Sequence, residues 1–234
     1  MGKVLEMMRL PVLRHTAAAL CCAAIVSGCG NGSDVEPGAR LLTTIGALAA
    51  SRIMGGNSET DSPASDLELR EAFVEAGQKI LRVEVEDPPA DLFLAPVTQN
   101  QGITTWVSNE RINLSTRDGV ILSTRGFGSD LMAATVPTAA QIGRGSGSHD
   151  RLHVYLDGGD QTQKFTYTCT VATIGPQTIT VLGLAYPTRH ITETCVGKTG
   201  TATNHYWFQG SRIRQSVQYL VPGGTALKVS AIID

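Results

Sequence analysis

From Lys79 onward the chain alternates apolar and polar positions. Leu81, Val83 and Val85 stand against Arg82, Glu84 and Glu86, and Pro88-Pro89 ends the run, which predicts a half-buried β-strand. Further β-rich runs, separated by Gly, Asn, Asp or Pro, occur at about 91–98, 103–108, 111–117, 120–125, 151–156, 163–173, 177–185, 188–194, 204–209, 212–220 and 226–233. So many short strands in succession predict a mainly β fold, an antiparallel meander closed as a sandwich or a barrel. The period before Lys79 is helical. Leu41, Leu42, Ile45, Leu48 and Ala49 predict one short helix within 40–54. Ser65 and Glu68, spaced as a capping box, open a second helix with the stripe Leu67, Leu69, Phe73 and Val74, stopping at Gly77.

One hairpin has a register that the pattern decides. A two-residue Asp118-Gly119 turn would set Leu114 against Ser123 and mix both faces. A three-residue loop, Arg117-Asp118-Gly119, pairs Thr116 with Val120 and Leu114 with Leu122, so one face becomes apolar; this register is expected.

The N-terminus has a different organisation. Lys3, Arg9 and Arg14 precede an apolar stretch, Thr16 to Ile25, that is too short for a permanent membrane span. Val26-Ser27-Gly28-Cys29 follows it. Small residues before the cut and a cysteine after it are what lipoprotein processing requires, because the thiol receives the diacylglyceryl group. Residues 1–28 therefore read as a lipoprotein signal peptide, with Cys29 as the lipidated residue. Several acyl chains, palmitate among them, anchor durably where one anchors weakly. Gly30 in place of Asp permits sorting to the outer membrane, so a lipid-anchored, periplasm-facing location is expected. Residues 29–64 form a tether with a short helix, and 65–234 the β-rich domain.

Composition adds two constraints. Of the five cysteines, Cys21 and Cys22 leave with the signal and Cys29 takes the lipid, which leaves Cys169 and Cys195 to pair in an oxidising periplasm. Without the signal, 16 Lys and Arg face 20 Asp and Glu (19 − 3 and 21 − 1), and no basic tract points to nucleic acid.

Candidate chemistry is sparse. His149 and His153 have a four-residue spacing, but the Gly143–Ser148 segment reads as a mobile glycine-serine loop and places them on a surface loop, so no metal site is assigned. Asp157, Asp160 and Asp130 are the carboxylates a polysaccharide-modifying enzyme would use, although turn formation explains them as well. Trp106, Trp207 and Tyr206 are candidate carbohydrate or partner contacts, with a role as core anchors as the alternative. No catalytic constellation and no cofactor motif emerges.

Several segments together resemble the GfcB/YjbF family of lipoproteins associated with group 4 capsule and exopolysaccharide production. They are Leu81-Arg82-Val83-Glu84-Val85, Thr105-Trp106-Val107-Ser108, Leu114 to Ile121 and Thr124 to Leu131. Tyr155-Leu156-Asp157-Gly158, Glu193-Thr194-Cys195, Asn204-His205-Tyr206-Trp207 and Arg212 to Pro222 complete the set. Tyr219 stands where the family more often carries Trp. The resemblance implies a mostly β outer-membrane lipoprotein acting beside a soluble periplasmic protein and a large outer-membrane β-barrel protein, with polysaccharide as a further partner. Together with Cys29 and the absence of a catalytic set, it leads to the expectation of an accessory in assembly or secretion that binds rather than catalyses. A polysaccharide-modifying enzyme and a lipid carrier with an apolar barrel interior are the alternatives.

Overall fold

The computed structural model describes residues 63–221 and 224–233. The signal peptide, Cys29, the tether and the helix expected within 40–54 lie outside the described residues. Those that are described belong to one compact unit, Glu36–Asp234.

The elements are α1 (Pro63–Glu75), β1 (Ile80–Val85), β2 (Ala90–Asn100), β3 (Ile103–Val107), β4 (Asn113–Arg117), β5 (Val120–Arg125) and β6 (Ala133–Thr135). After them come α2 (Ala139–Gly143), β7 (Ser146–Leu156), β8 (Thr162–Val181), β9 (Leu184–Gly197), β10 (Gly200–Gln209), β11 (Arg212–Tyr219) and β12 (Ala226–Ile233). All twelve strands join one antiparallel sheet in the order β5-β4-β3-β2-β1-β12-β11-β10-β9-β8-β7-β6. Its two edges come back towards each other. The Thr124 N–H donates to the Leu131 carbonyl at 2.9 Å, just ahead of β6, so the sheet is a nearly closed barrel. Of the two closures left open by the sequence, the structure takes the barrel.

An open edge would leave backbone groups of β5 unpaired. Gln218 reaches in from β11 to prevent this: its Oε1 accepts from Ile121 N at 3.1 Å and its Nε2 donates to Gly119 O at 2.9 Å. Gln218 is buried for that reason.

Alternation places one phase of each strand inside. Leu81 and Val83 of β1 meet Leu94 of β2, Leu114 of β4, and Leu227 and Val229 of β12 in the main interior cluster. A second interior cluster joins Val120, Ile142, Val171, Ile191, Tyr206 and Phe208. On the outer face, Phe73 of α1 packs with Ile80, Ile232 and the β8–β9 tip residues Val181 and Leu182. Arg70 binds this layer together by donating to the carbonyls of Val181, Leu182 and Ile232 at 2.9–3.1 Å. The apolar stripe of α1 is thus Leu69 and Phe73. Leu67 and Val74, expected in it, are exposed, and the helix begins at Pro63, two residues before the capping box.

Three expectations are corrected. The β4–β5 turn is the two-residue Asp118-Gly119, with both residues at positive φ and Arg117 opposite Val120. A bulge then shifts the register between Ser115 and Thr116, so Leu114 faces Thr124 and the consecutive Val120, Ile121 and Leu122 are all buried. The segment Gly143–Ser148 is not a mobile loop: it ends α2, turns at Gly145, and enters β7 at Ser146. Nor are the runs at 163–173 and 177–185 separate strands. They form one long β8 with an irregularity between Thr173 and Gly175, paired along its length with β9.

Cys169 and Cys195 face each other across β8 and β9, with Cα atoms 4.0 Å apart, and are joined by a disulfide. Both are buried. The pair closes a loop of 26 residues, for which chain entropy predicts a contribution of about 3 kcal/mol. Replacing both by Ala should lower the urea midpoint without changing the far-ultraviolet circular dichroism. An unchanged midpoint would mean that the bond adds nothing to stability.

Candidate functional site

Among the described residues, two polar sites inside the barrel differ in access. The first is sealed. Glu193, on the inward phase of β9 between Ile191 and Cys195, has no solvent exposure. Arg151 of β7 grips its two oxygens through Nε and NH2, both at 2.7 Å. His149 Nε2 donates to it at 2.6 Å, and the Tyr206 hydroxyl and Asn204 Nδ2 each at 2.9 Å. Asn204 Oδ1 in turn accepts from Tyr219 N of β11. Burial raises the Glu193 pKa, but the charge of Arg151 and the donated hydrogen bonds outweigh it and hold the carboxyl at about 2.

At the next inward position of β7, two residues past Arg151, His153 Nδ1 donates to the Leu220 carbonyl at 2.9 Å, an acceptor it shares with the Tyr155 hydroxyl. Burial first, and the positive charge of Arg151 second, lower the His153 pKa to about 4. His149 and His153 therefore sit on the inner face of a strand, not on a surface loop, and they serve different partners. His149, Cys169 and Glu193 do lie within 4.8 Å of one another. However, the sulfur of Cys169 is in the disulfide and His149 gives its proton to Glu193, so their ligating atoms are already used.

The second site is open. A cavity of about 660 Å³ lies at one end of the barrel, where β1, β3, β5 and β11 begin and β2, β4, β10 and β12 end. Its volume falls within the usual range for small-ligand sites. Leu81, Val229, Ala231 and Ile233 give it an apolar wall, and Ile213 faces them. Trp106 of β3 lines it with its indole held in place, since Nε1 donates to Thr116 Oγ1 at 2.9 Å. Thr98, Gln99, Thr104 and Ser216 supply hydrogen-bonding groups, while Lys79, Arg212 and Asp118 bring charge to the lining.

The three aromatic candidates are separated. Neighbours in a strand point to opposite faces, so Tyr206 and Trp207 cannot share a platform. Tyr206 is a correction: it is wholly buried between Arg151 and Glu193 and cannot touch a carbohydrate. Trp207 faces outward, stacks on His190 at 4.8 Å, and donates to Gln177 Oε1 of β8. Of the three, Trp106 alone lines the cavity.

The candidate acids have structural uses. Asp157 accepts from the N–H groups of Gly159 and Gln161 in the β7–β8 turn, and Asp130 from those of Gly126 and Phe127 after β5. Asp160 occupies the same turn as Asp157, at positive φ. None of the three lines the cavity. Sequence reasoning missed Glu193, Arg151 and Asn204, although opposite charges on the buried phase of two strands were the signal for them.

The family model described as group 4 capsule polysaccharide lipoprotein gfcB, YjbF, matches residues 62–231. The chain belongs to this family. The crystal structure of the hypothetical lipoprotein YmcC from Escherichia coli (K12) is similar in fold, with a TM-score of 0.63 at 15% identity, covering 81% of this chain and 95% of that one. No curated protein sequence matches the chain. The family places the protein among envelope lipoproteins of capsule and exopolysaccharide production.

Two stability predictions follow from the sealed site. Glu193→Gln leaves the Arg151 cation buried without its counter-charge, and a loss of about 3–5 kcal/mol is expected in urea unfolding. Glu193→Leu combined with Arg151→Met should lose clearly less than either single change. The second prediction concerns pH. The folded state refuses a proton at His153 that the unfolded chain accepts below about 6.5, and one at Glu193 that the unfolded chain accepts below about 4.5. Both folded pKa values are depressed, so stability should be full above pH 6.5, fall towards pH 4 through His153, and fall further towards pH 2 through Glu193. Thermal melting across this range tests it, and His153→Phe should flatten the upper limb.

Proposed function

We propose that the protein is held by lipid on Cys29 at the periplasmic face of the outer membrane and serves capsule or exopolysaccharide assembly or secretion by binding rather than catalysis. The observation that carries this reading is the open cavity with its fixed indole and hydroxyl-bearing lining. Such a site suits a ligand with both apolar and hydroxylated surfaces. The family match supplies the process. The polysaccharide is one partner, and the soluble periplasmic and outer-membrane β-barrel proteins of the same gene cluster are others.

Catalysis is the weaker alternative, because Asp157 and Asp130 use their oxygens in their own turns. A lipid carrier calls for a continuous apolar interior. Here threonines, two serines, a glutamine and charged groups share the lining.

Deleting the gene in the producing cell should reduce surface and secreted polysaccharide, and the wild-type gene should restore it. Cys29→Ala should release the protein from the membrane fraction, abolish acyl labelling and fail to restore full export. Unchanged polysaccharide in the deletion strain would refute the assigned process. Continued labelling of the Cys29 variant would refute the anchor.

A further inference from the structure

We propose that the cavity is a binding site for the end of a glycan chain, with a preference for a sugar bearing a carboxylate. This rests on the binding reading above and goes beyond it by naming the ligand and the manner of entry.

The case for a chain end is geometric. The cavity is blind. Below Leu81 and Val229 the barrel is filled by Leu94, Leu114 and Leu227, all fully buried, so nothing threads through. The turns Gln101-Gly102, Asp118-Gly119 and Gly210-Ser211 stand at the same end of the barrel, and residues of each line the cavity together with α2. A mid-chain segment would have to enter and leave by one mouth, bending sharply within it. A terminal residue or two enters without bending.

The case for a sugar is chemical. A pyranose has an apolar face of C–H groups and an edge of hydroxyls, and aromatic side chains contribute both stacking area and rigidity. The Trp106 indole is positioned by Thr116 and so loses little freedom when a ring stacks on it. Thr98, Gln99, Thr104 and Ser216 offer donors and acceptors to the hydroxyl edge. A lipid tail would offer these groups nothing, and covering the half-buried Thr104 hydroxyl with one would cost free energy.

The case for a carboxylate is electrostatic. The chain as a whole carries a formal charge of −2, yet the lining includes the cations Lys79 and Arg212 beside the one carboxylate Asp118, and Lys79 is the cation the assignment rests on. Lys79 is exposed, so its ammonium group is accessible to an entering anion and is screened by salt.

Calorimetry on the acylated protein in detergent tests the assignment. The probes are di- to tetrasaccharides from partial hydrolysis of the producing cell's own polysaccharide, separated into carboxylated and neutral pools, and the intact polymer. The carboxylated pool should bind, with saturation of the intact polymer counted per chain end. Trp106→Ala should weaken binding at least tenfold and Trp106→Phe much less. Lys79→Ala, at an exposed position that does not endanger the fold, should weaken it several-fold and flatten its salt dependence.

Absence of oligosaccharide binding, or binding indifferent to Trp106→Ala, would overturn the site. Saturation of the polymer far above its number of ends would overturn end recognition. Equal binding of the neutral pool, indifference to Lys79→Ala, or a polysaccharide without carboxylated sugars would overturn the acidic preference. If the gene deletion reduces polysaccharide while no oligosaccharide binds, the assigned process stands and the ligand assignment alone fails.

Discussion

The carboxylate of Glu193 is the constraint on which the barrel depends. A buried charge without partners is far costlier than any single apolar contact is favourable, so the strands around it must meet it in one arrangement. That arrangement spans β7, β9 and β10 through Arg151, His149, Tyr206 and Asn204, and Asn204 extends it to the backbone of β11. An apolar interior alone tolerates alternative pairings. A slip of one residue in β9 would turn Glu193 to the outer face and leave the Arg151 cation inside without its partner. The disulfide enforces the same register, because Cys195 lies two positions from Glu193 on the same inward phase and Cys169 sits directly opposite it.

Closure of the barrel and the position of its cavity have a common origin. The short β6 pairs with β7, leaving β5 with β4 on one side and no strand ladder on the other. Leu131 satisfies one end of β5 through Thr124, and the Gln218 side chain satisfies the other through Ile121 and Gly119. Drawing the β4–β5 turn towards β11 requires a residue with no side chain. Gly119 meets that need, with φ +88 and the Ile213 Cβ only 3.1 Å from where its own would stand. Near this end the lining residues are small, among them Ala139, Ala231, Ser216 and Gly119, so the interior is left unfilled. Deeper in, leucines fill it.

Much of this was legible in the sequence where period-two alternation was unbroken. The β1 pattern and the positions of β3, β4, β5, β11 and β12 followed it closely. The number of such strands gave the barrel-or-sandwich choice, and the cysteine count gave the Cys169–Cys195 pairing. Legibility failed where local composition and tertiary context disagreed. Gly145, Ser146, Gly147 and Ser148 have the composition of a loop, yet pairing with Thr170, Val171 and Ala172 of β8 makes the last three of them strand. The β4–β5 register was misread because a bulge let three consecutive residues be buried, which no strict alternation describes. The parity of Tyr206 and Trp207 was available from the start and ruled out a shared aromatic platform, whereas the cavity, assembled from distant turns, had no sequence signal of its own.

The distribution of polar groups bears on how the molecule works. Shifted pKa values often mark functional sites, and here the strongly shifted Glu193 and His153 lie close together with Arg151 and Tyr206. Position decides against that inference. Glu193 and Tyr206 have no exposed surface, and Arg151 and His153 have almost none, so a substrate cannot reach them without opening the core. None of the four lines the cavity. Their shifts are the consequence of satisfying a buried charge that fixes strand register. The accessible chemistry lies at the barrel end, where Trp106 is immobilised among hydroxyls and Lys79 and Arg212 add positive charge. The groups with the most shifted pKa values are thus sealed inside the barrel, while an aromatic side chain, hydrogen-bonding groups and charge are presented at its open end.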